Sequence, residues 1–275
     1  MNQTVKRTIF GVLFLAVMLG GLLFNEYTFA ALFAFISGVM MYEFYRMSLG
    51  PSLKKQQWEG IALGLFLFAC GVCHFSGCPY SEMFWGIALI LLLFILGGLV
   101  LDSKHEDFAK SALILAGLVY IALPLALSPA VVYSGGQFSG LLMVSFFVII
   151  WSSDVGAYCF GMLFGKNGKK MCPKISPKKS WAGFWGGIVS SVLAGAILMW
   201  TGLFSFPWYH VVAVSVLMNV MGVLGDLYES LWKRHFGIKD SGKIIPGHGG
   251  LMDRFDSSLF AIPIGYVYLL IFQLV

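Results

Sequence analysis

Residues 225–256, GDLYESLWKRHFGIKDSGKIIPGHGGLMDRFD, crowd carboxylates, cations, a histidine and glycines into one stretch of a chain whose charged fraction is only 11%. On a helix, Asp226, Ser230 and Lys233 share a face at steps of four and three. Asp253 and Asp256 do the same one turn apart, at the entrance to the last apolar run. Carboxylates at both borders suit a hard divalent cation, which takes oxygen donors rather than thiols. Between them Pro246, Gly247, Gly249 and Gly250 flank His248 in a loop whose backbone can come close to a ligand. A second stretch, GKNGKKMCPKISPKKSWAG at 165–183, carries six lysines. Pro173 and Pro177 prevent a continuous helix there, so the lysines are expected on a bent loop. Ser176, Lys178, Lys179 and Ser180 stand just before an apolar helix whose first backbone N–H groups favour an anion. A phosphate chain fits such a loop, and so does anionic lipid. It is not a Walker A loop, because Gly161 and Gly165 are wrongly spaced and Lys166 is followed by Asn167. Third, Asp154 lies inside the apolar stretch around WSSDVGAYCFG. A bare carboxylate at that depth costs about 2.5–3.5 kcal/mol. With Ser153 beside it and Tyr158 one turn on, it points to a hydrated polar face.

The elements that must hold these groups are membrane helices. The chain has 275 residues, is 59% hydrophobic and has a mean hydropathy of +0.84, its apolar residues lying in long blocks. Blocks long enough to cross a bilayer fall near 8–24, 27–45, 58–75, 83–101, 111–133, 139–163, 182–203, 207–227 and 258–275. With the amino terminus in the cytoplasm, all 18 lysines and arginines fall in inner loops, as the positive-inside bias requires. The expected fold is therefore all-α: a polytopic integral membrane protein of about nine transmembrane helices, in the cell's inner membrane, with its site facing the cytoplasm. One membrane domain spans 1–275, with scaffold helices over 1–135 and the chemistry over 136–275. Glu43 and Glu59 flank the second inner loop and read as interfacial. Glycine pairs four apart, Gly60 and Gly64, Gly161 and Gly165, Gly183 and Gly187, read as close helix packing. Five cysteines give no disulfide framework. The net charge of +5 belongs to one face, which attracts anionic lipid and nucleotides.

In order, Ser230, Lys233, Arg234, Lys239, Asp240, Gly242, Pro246, His248, Gly249, Gly250, Asp253, Arg254 and Asp256 resemble the signature of the phosphatidate cytidylyltransferases, or CDP-diacylglycerol synthases. The element SPKKSWAG and Asp154 with Ala157 and Tyr158 extend the resemblance, which covers roughly 150–260; the first five spans match only in hydropathy. Trp232 departs, standing where the family has an aliphatic residue or Phe. The resemblance implies that CTP and phosphatidate give CDP-diacylglycerol and pyrophosphate, with one or two Mg2+ ions. It makes Asp226 and Asp253 metal ligands, with Asp256 an additional one. Ser176, Lys178 and Lys179, with Ser180, Lys166 and Lys239, take the nucleotide phosphates. Lys233, Arg254 and His248 take the lipid phosphate or pyrophosphate, Ser230 joins the catalytic set, and Asp154 closes the metal site or orients a lysine. The partners are CTP, phosphatidate and membrane lipid; no nucleic acid is expected, and a homodimer stays open. Two rival readings are a CTP-dependent polyprenol or phytol kinase, which would need a base for a neutral hydroxyl, and an ion-coupled transporter using Asp154.

Overall fold

The computed structural model describes residues 3–50, 53–101, 108–166, 168–242, 244 and 249–275. Its helices are α1 Gln3–Leu23, α2 Glu26–Ser48, α3 Lys54–Phe75, α4 Ser81–Leu101 and α5 Phe108–Gly117. A π-helical turn, Leu118–Ala122, leads into the short α6 Leu123–Ala126 and α7 Ser128–Val132. Then come α8 Leu141–Phe164, a hairpin of β1 Lys170–Cys172 and β2 Ser176–Ser180, α9 Trp181–Trp200, α10 Trp208–His235 and α11 Met252–Ile271. The all-α expectation holds. Eight segments among the described residues are long and apolar enough to cross a membrane. The expected span at 8–24 corresponds to a shorter apolar stretch, Thr8–Leu23, within α1. The span around Ala112–Val132 is interrupted because Pro124 and Pro129 lack the N–H that a continuous α-helix needs; a π turn and two short helices result.

Two helices run beyond their apolar blocks, as the shared helical faces require. α10 continues past 227 to His235, and its last turn holds Lys233, Arg234 and His235, cations that favour a helix carboxyl end. α11 starts at Met252, ahead of the apolar block at 258–275, and so carries Asp253 and Asp256 on helical backbone. The hairpin was expected only as a bent loop.

The chain's contacts divide it into two compact units, Met1–Phe138 with Asp240–Asp253, and Ser139–Lys239 with Arg254–Val275. In the first, the Tyr45 ring is fully buried and its hydroxyl donates to the Ile114 carbonyl at 2.8 Å. Gly60 gives that ring room, since a Cβ there would stand 2.8 Å from it. α4 turns Leu89, Leu93 and Phe94 outward, as helices facing lipid do. In the second unit, α8, α9 and α10 meet through small residues. The buried Ser153 hydroxyl of α8 donates to Asn219 Oδ1 of α10 at 2.5 Å. Gly187 of α9 passes over this pair, and a Cβ there would stand 2.6 Å from the amide oxygen. These helices position the polar residues described below.

Gly187→Ala is expected to cost about 1–3 kcal/mol through overpacking. Gly86→Ala, where a Cβ meets nothing within 4 Å, serves as the control. Thermal unfolding in detergent compares them, and the glycine of α9 should lower the midpoint while that of α4 should not.

Candidate active site

In the second unit, α10 presents Asp226 and Glu229 three residues apart, and α11 brings Asp256 against them. One carboxylate oxygen from each lies within 4.8 Å of the others. Asp154 of α8 is in electrostatic contact with Asp226, Asp256, Lys179 and Arg254. Four carboxylates thus converge where the low dielectric makes their mutual repulsion expensive. Lysines offset part of it. Lys179 Nζ is 2.6 Å from Asp226 Oδ2, and the buried Lys233 Nζ donates to Glu229 Oε2 at 2.5 Å, one turn along α10. Ser230 donates its hydroxyl to Asp226 Oδ1 at 3.3 Å.

The lysine segment reaches this cluster because it is a hairpin. β1 and β2 pair antiparallel, Lys170 opposite Ser180 and Cys172 opposite Ser176, with an irregularity between the two pairs. Lys170 Nζ donates to the Gly165 carbonyl at 2.7 Å, a cation on the carboxyl end of α8. At the other end Ser180 caps α9, its hydroxyl accepting from Gly183 N at 3.2 Å. Arg234 pins the turn, donating from Nε to the Ile175 carbonyl at 3.3 Å and from Nη1 to the Ile238 carbonyl at 3.0 Å. Lys179 is thereby set against Asp226, Lys178 is exposed on the same strand, and Ser176 is half-buried. Lys166 and Lys239 are exposed, and no contact among the described residues joins them to the acids.

Asp253 belongs to the first unit. Its Oδ2 accepts from Gly250 N at 2.8 Å, Ser241 N at 3.0 Å and Ser241 Oγ at 3.0 Å, so it joins Ser241 and Gly250 to the start of α11. Gly249 has φ +84°, a conformation costly for other residues. His248, Pro246 and Gly247 lie outside the described residues. Trp232, the departure from the signature, stacks on Phe236 at 6.0 Å with the rings 7° apart and meets Tyr228 edge-on at 5.9 Å; its role is packing.

The donor set fits a divalent cation such as Mg2+. The three acids offer hard oxygens within 4.8 Å of one another, the donor chemistry such an ion takes. Glu229 is the member that sequence reading missed. Its spacing from Asp226 and Lys233, three and four residues, was the available signal.

A family model described as the cytidylyltransferase family matches residues 5–272. Among curated relatives, a phosphatidate cytidylyltransferase of Bacillus subtilis is 33% identical over 273 residues, 98% of each chain. One of Staphylococcus saprophyticus is 32% identical over 264 residues, 95% of this chain and 96% of its own. One of Staphylococcus epidermidis is 40% identical over 179 residues, 64% of this chain and 66% of its own.

Lys233→Met removes the ammonium from fully buried Glu229 and is expected to cost about 3–5 kcal/mol. Adding Glu229→Gln should restore part of the loss, because the two side chains are coupled. Unfolding midpoints of the single and double variants check this; equal midpoints would contradict it.

Proposed function

Since the chain belongs to the cytidylyltransferase family, we propose that it is a multi-pass membrane enzyme that transfers the cytidylyl group of CTP to phosphatidate, giving CDP-diacylglycerol and pyrophosphate. The observation that carries this reading is the 2.6 Å pair between Lys179 and Asp226. It joins an anion-binding hairpin to a carboxylate cluster suited to a divalent cation, which are the two things a reaction between phosphates needs. The positive-inside distribution of lysines and arginines supports a cytoplasmic, inner-membrane site, where CTP is found.

In the proposed reaction an oxygen of the lipid phosphate attacks the α-phosphorus of CTP in line. A new P–O–P bond forms, the bond to the β-phosphate breaks, and pyrophosphate leaves. The attacking phosphate monoester, with a second pKa near ~6, is already largely dianionic at neutral pH. No base is needed to activate it, which suits a site built of carboxylates and ammonium groups. The obstacle is bringing two anions together, and the side chains address it by charge and position. Lys179, Lys178 and Ser176 gather the nucleotide phosphates at the amino end of α9, Lys179 exchanging Asp226 for a phosphate oxygen as the substrate arrives. Lys233 and Arg254, with His248, hold the lipid phosphate or the departing pyrophosphate. Asp226, Glu229 and Asp256 would hold Mg2+, with Asp154 closing the metal site or orienting a lysine. When bound, that ion neutralises charge on the phosphate oxygens and orients them. Asp253 serves by holding Ser241 and Gly250 ahead of α11; direct ligation of metal by Asp253, as the signature implies, stays a proposal.

Purified protein incubated with CTP labelled at the α-phosphate, phosphatidate and Mg2+ should place the label in lipid of the mass of CDP-diacylglycerol. Label that enters lipid only from the γ-phosphate would make the protein a lipid kinase. Lys179→Ala should raise the KM for CTP about tenfold or more, the loss of one charge-assisted phosphate contact. An unchanged KM would move the nucleotide elsewhere.

A further inference from the structure

The first unit contains a carboxylate that the cytidylyl-transfer scheme does not use. Glu43 lies in α2, within a membrane span, and is only 2% exposed. An acid at such a depth needs compensation, and its partners come from a segment about two hundred residues away in sequence. Glu43 Oε1 accepts from Leu251 N at 3.1 Å, and Oε2 accepts from Met252 N at 2.9 Å and from Ser241 Oγ at 3.2 Å. The Met252 amide is the first donor of α11 and the Leu251 amide the one before it, a helix end where negative charge is favoured. The surroundings are shaped to admit this group. A Cβ on Gly250 would stand 2.6 Å from both Glu43 oxygens, and one on Gly242 would press on the same carboxyl. The two glycines are thus required for the approach of the acid. Ser241 links Glu43 to Asp253, since its hydroxyl lies 3.2 Å from one carboxylate and 3.0 Å from the other.

We propose that Glu43 is a positioning residue for the reaction: its carboxylate holds Ser241, Leu251 and Met252 in place and thereby aims Asp253. The proposal rests on the cytidylyl-transfer reading for its kinetic consequence but not for its structural one. Glutamine in place of Glu43 keeps the size and one acceptor oxygen, but turns an NH2 group toward backbone donors. The hairpin lysines belong to the other unit and are not held by this carboxylate.

Glu43→Gln is therefore expected to lower kcat about 10- to 100-fold, the range for losing a group that orients catalytic ligands, with the KM for CTP nearly unchanged. Amide hydrogen exchange across 249–253 should speed up in the same variant, while exchange in α8 and α9 stays as in the parent. Glu43→Asp keeps the charge on a shorter stem and should fall between the two; it also serves if the glutamine variant does not fold. A kcat within about twofold of the parent, or a lowered kcat with unchanged exchange at 249–253, would overturn the proposal. So would a loss shared equally by kcat and KM with faster exchange throughout, which would mark a general stability role. Should the parent make no CDP-lipid in the same assay, the functional reading fails, and the exchange measurement alone still decides whether Glu43 orders the loop.

Discussion

Mutual repulsion among Asp154, Asp226, Glu229 and Asp256 is the constraint on which the second unit is built. Like charges gathered in a medium that screens poorly destabilise one another unless cations stand between them. The fold provides such cations from its own chain. Lys233 is one helical turn from Glu229, and Lys179 is delivered by a hairpin whose turn Arg234 ties to the end of α10. Serine and asparagine groups complete the polar interior, as in the Ser153–Asn219 contact and the Ser230–Asp226 contact. The cluster's hard oxygen donors are of the kind a divalent cation takes, which is the basis of the metal role proposed above.

The bilayer explains where this chemistry lies along the helices. In hydrocarbon every backbone polar group must be satisfied internally, so apolar helices fill the spans, and the long charged segments lie at their ends. α10 extends beyond its apolar part to carry Asp226, Glu229, Ser230 and Lys233, and α11 begins before its apolar part to carry Asp253 and Asp256. Within the first unit, the amino end of α11 is received by Glu43 and Asp253, two carboxylates on backbone N–H groups at a helix end where negative charge is favoured.

Much of this could be read from the sequence. Apolar block lengths marked the spans, and the lysine distribution singled out the two long loops. Helical spacing put Asp226, Ser230 and Lys233 on one face. What escaped shows the limits of local pattern. Asp253, Arg254 and Asp256 lower the hydropathy of the first turns of α11, so the apolar block begins later than the helix does. Pro173 and Pro177 announced the end of helix but not the pairing of β1 with β2, which depends on register across a turn. Glu229 was hidden beside Ser230 although its spacing to Asp226 and Lys233 was visible. Glu43 looked interfacial because its partners, Leu251 and Met252, are backbone amides distant in the chain, and backbone donors leave no trace in side-chain spacing. Glu59, judged the same way, does lie at the surface, where its 3.6 Å pair with Lys55 contributes little.

Binding of Mn2+, a paramagnetic stand-in for Mg2+, tests the carboxylate site most directly and without reference to turnover. Electron paramagnetic resonance on the purified protein should show bound Mn2+ that Mg2+ displaces, and that is lost when Asp226 and Asp256 are both changed to Asn in protein that remains folded. Binding of undiminished strength in the doubly substituted protein would contradict the account, since the cation would then be held by other residues.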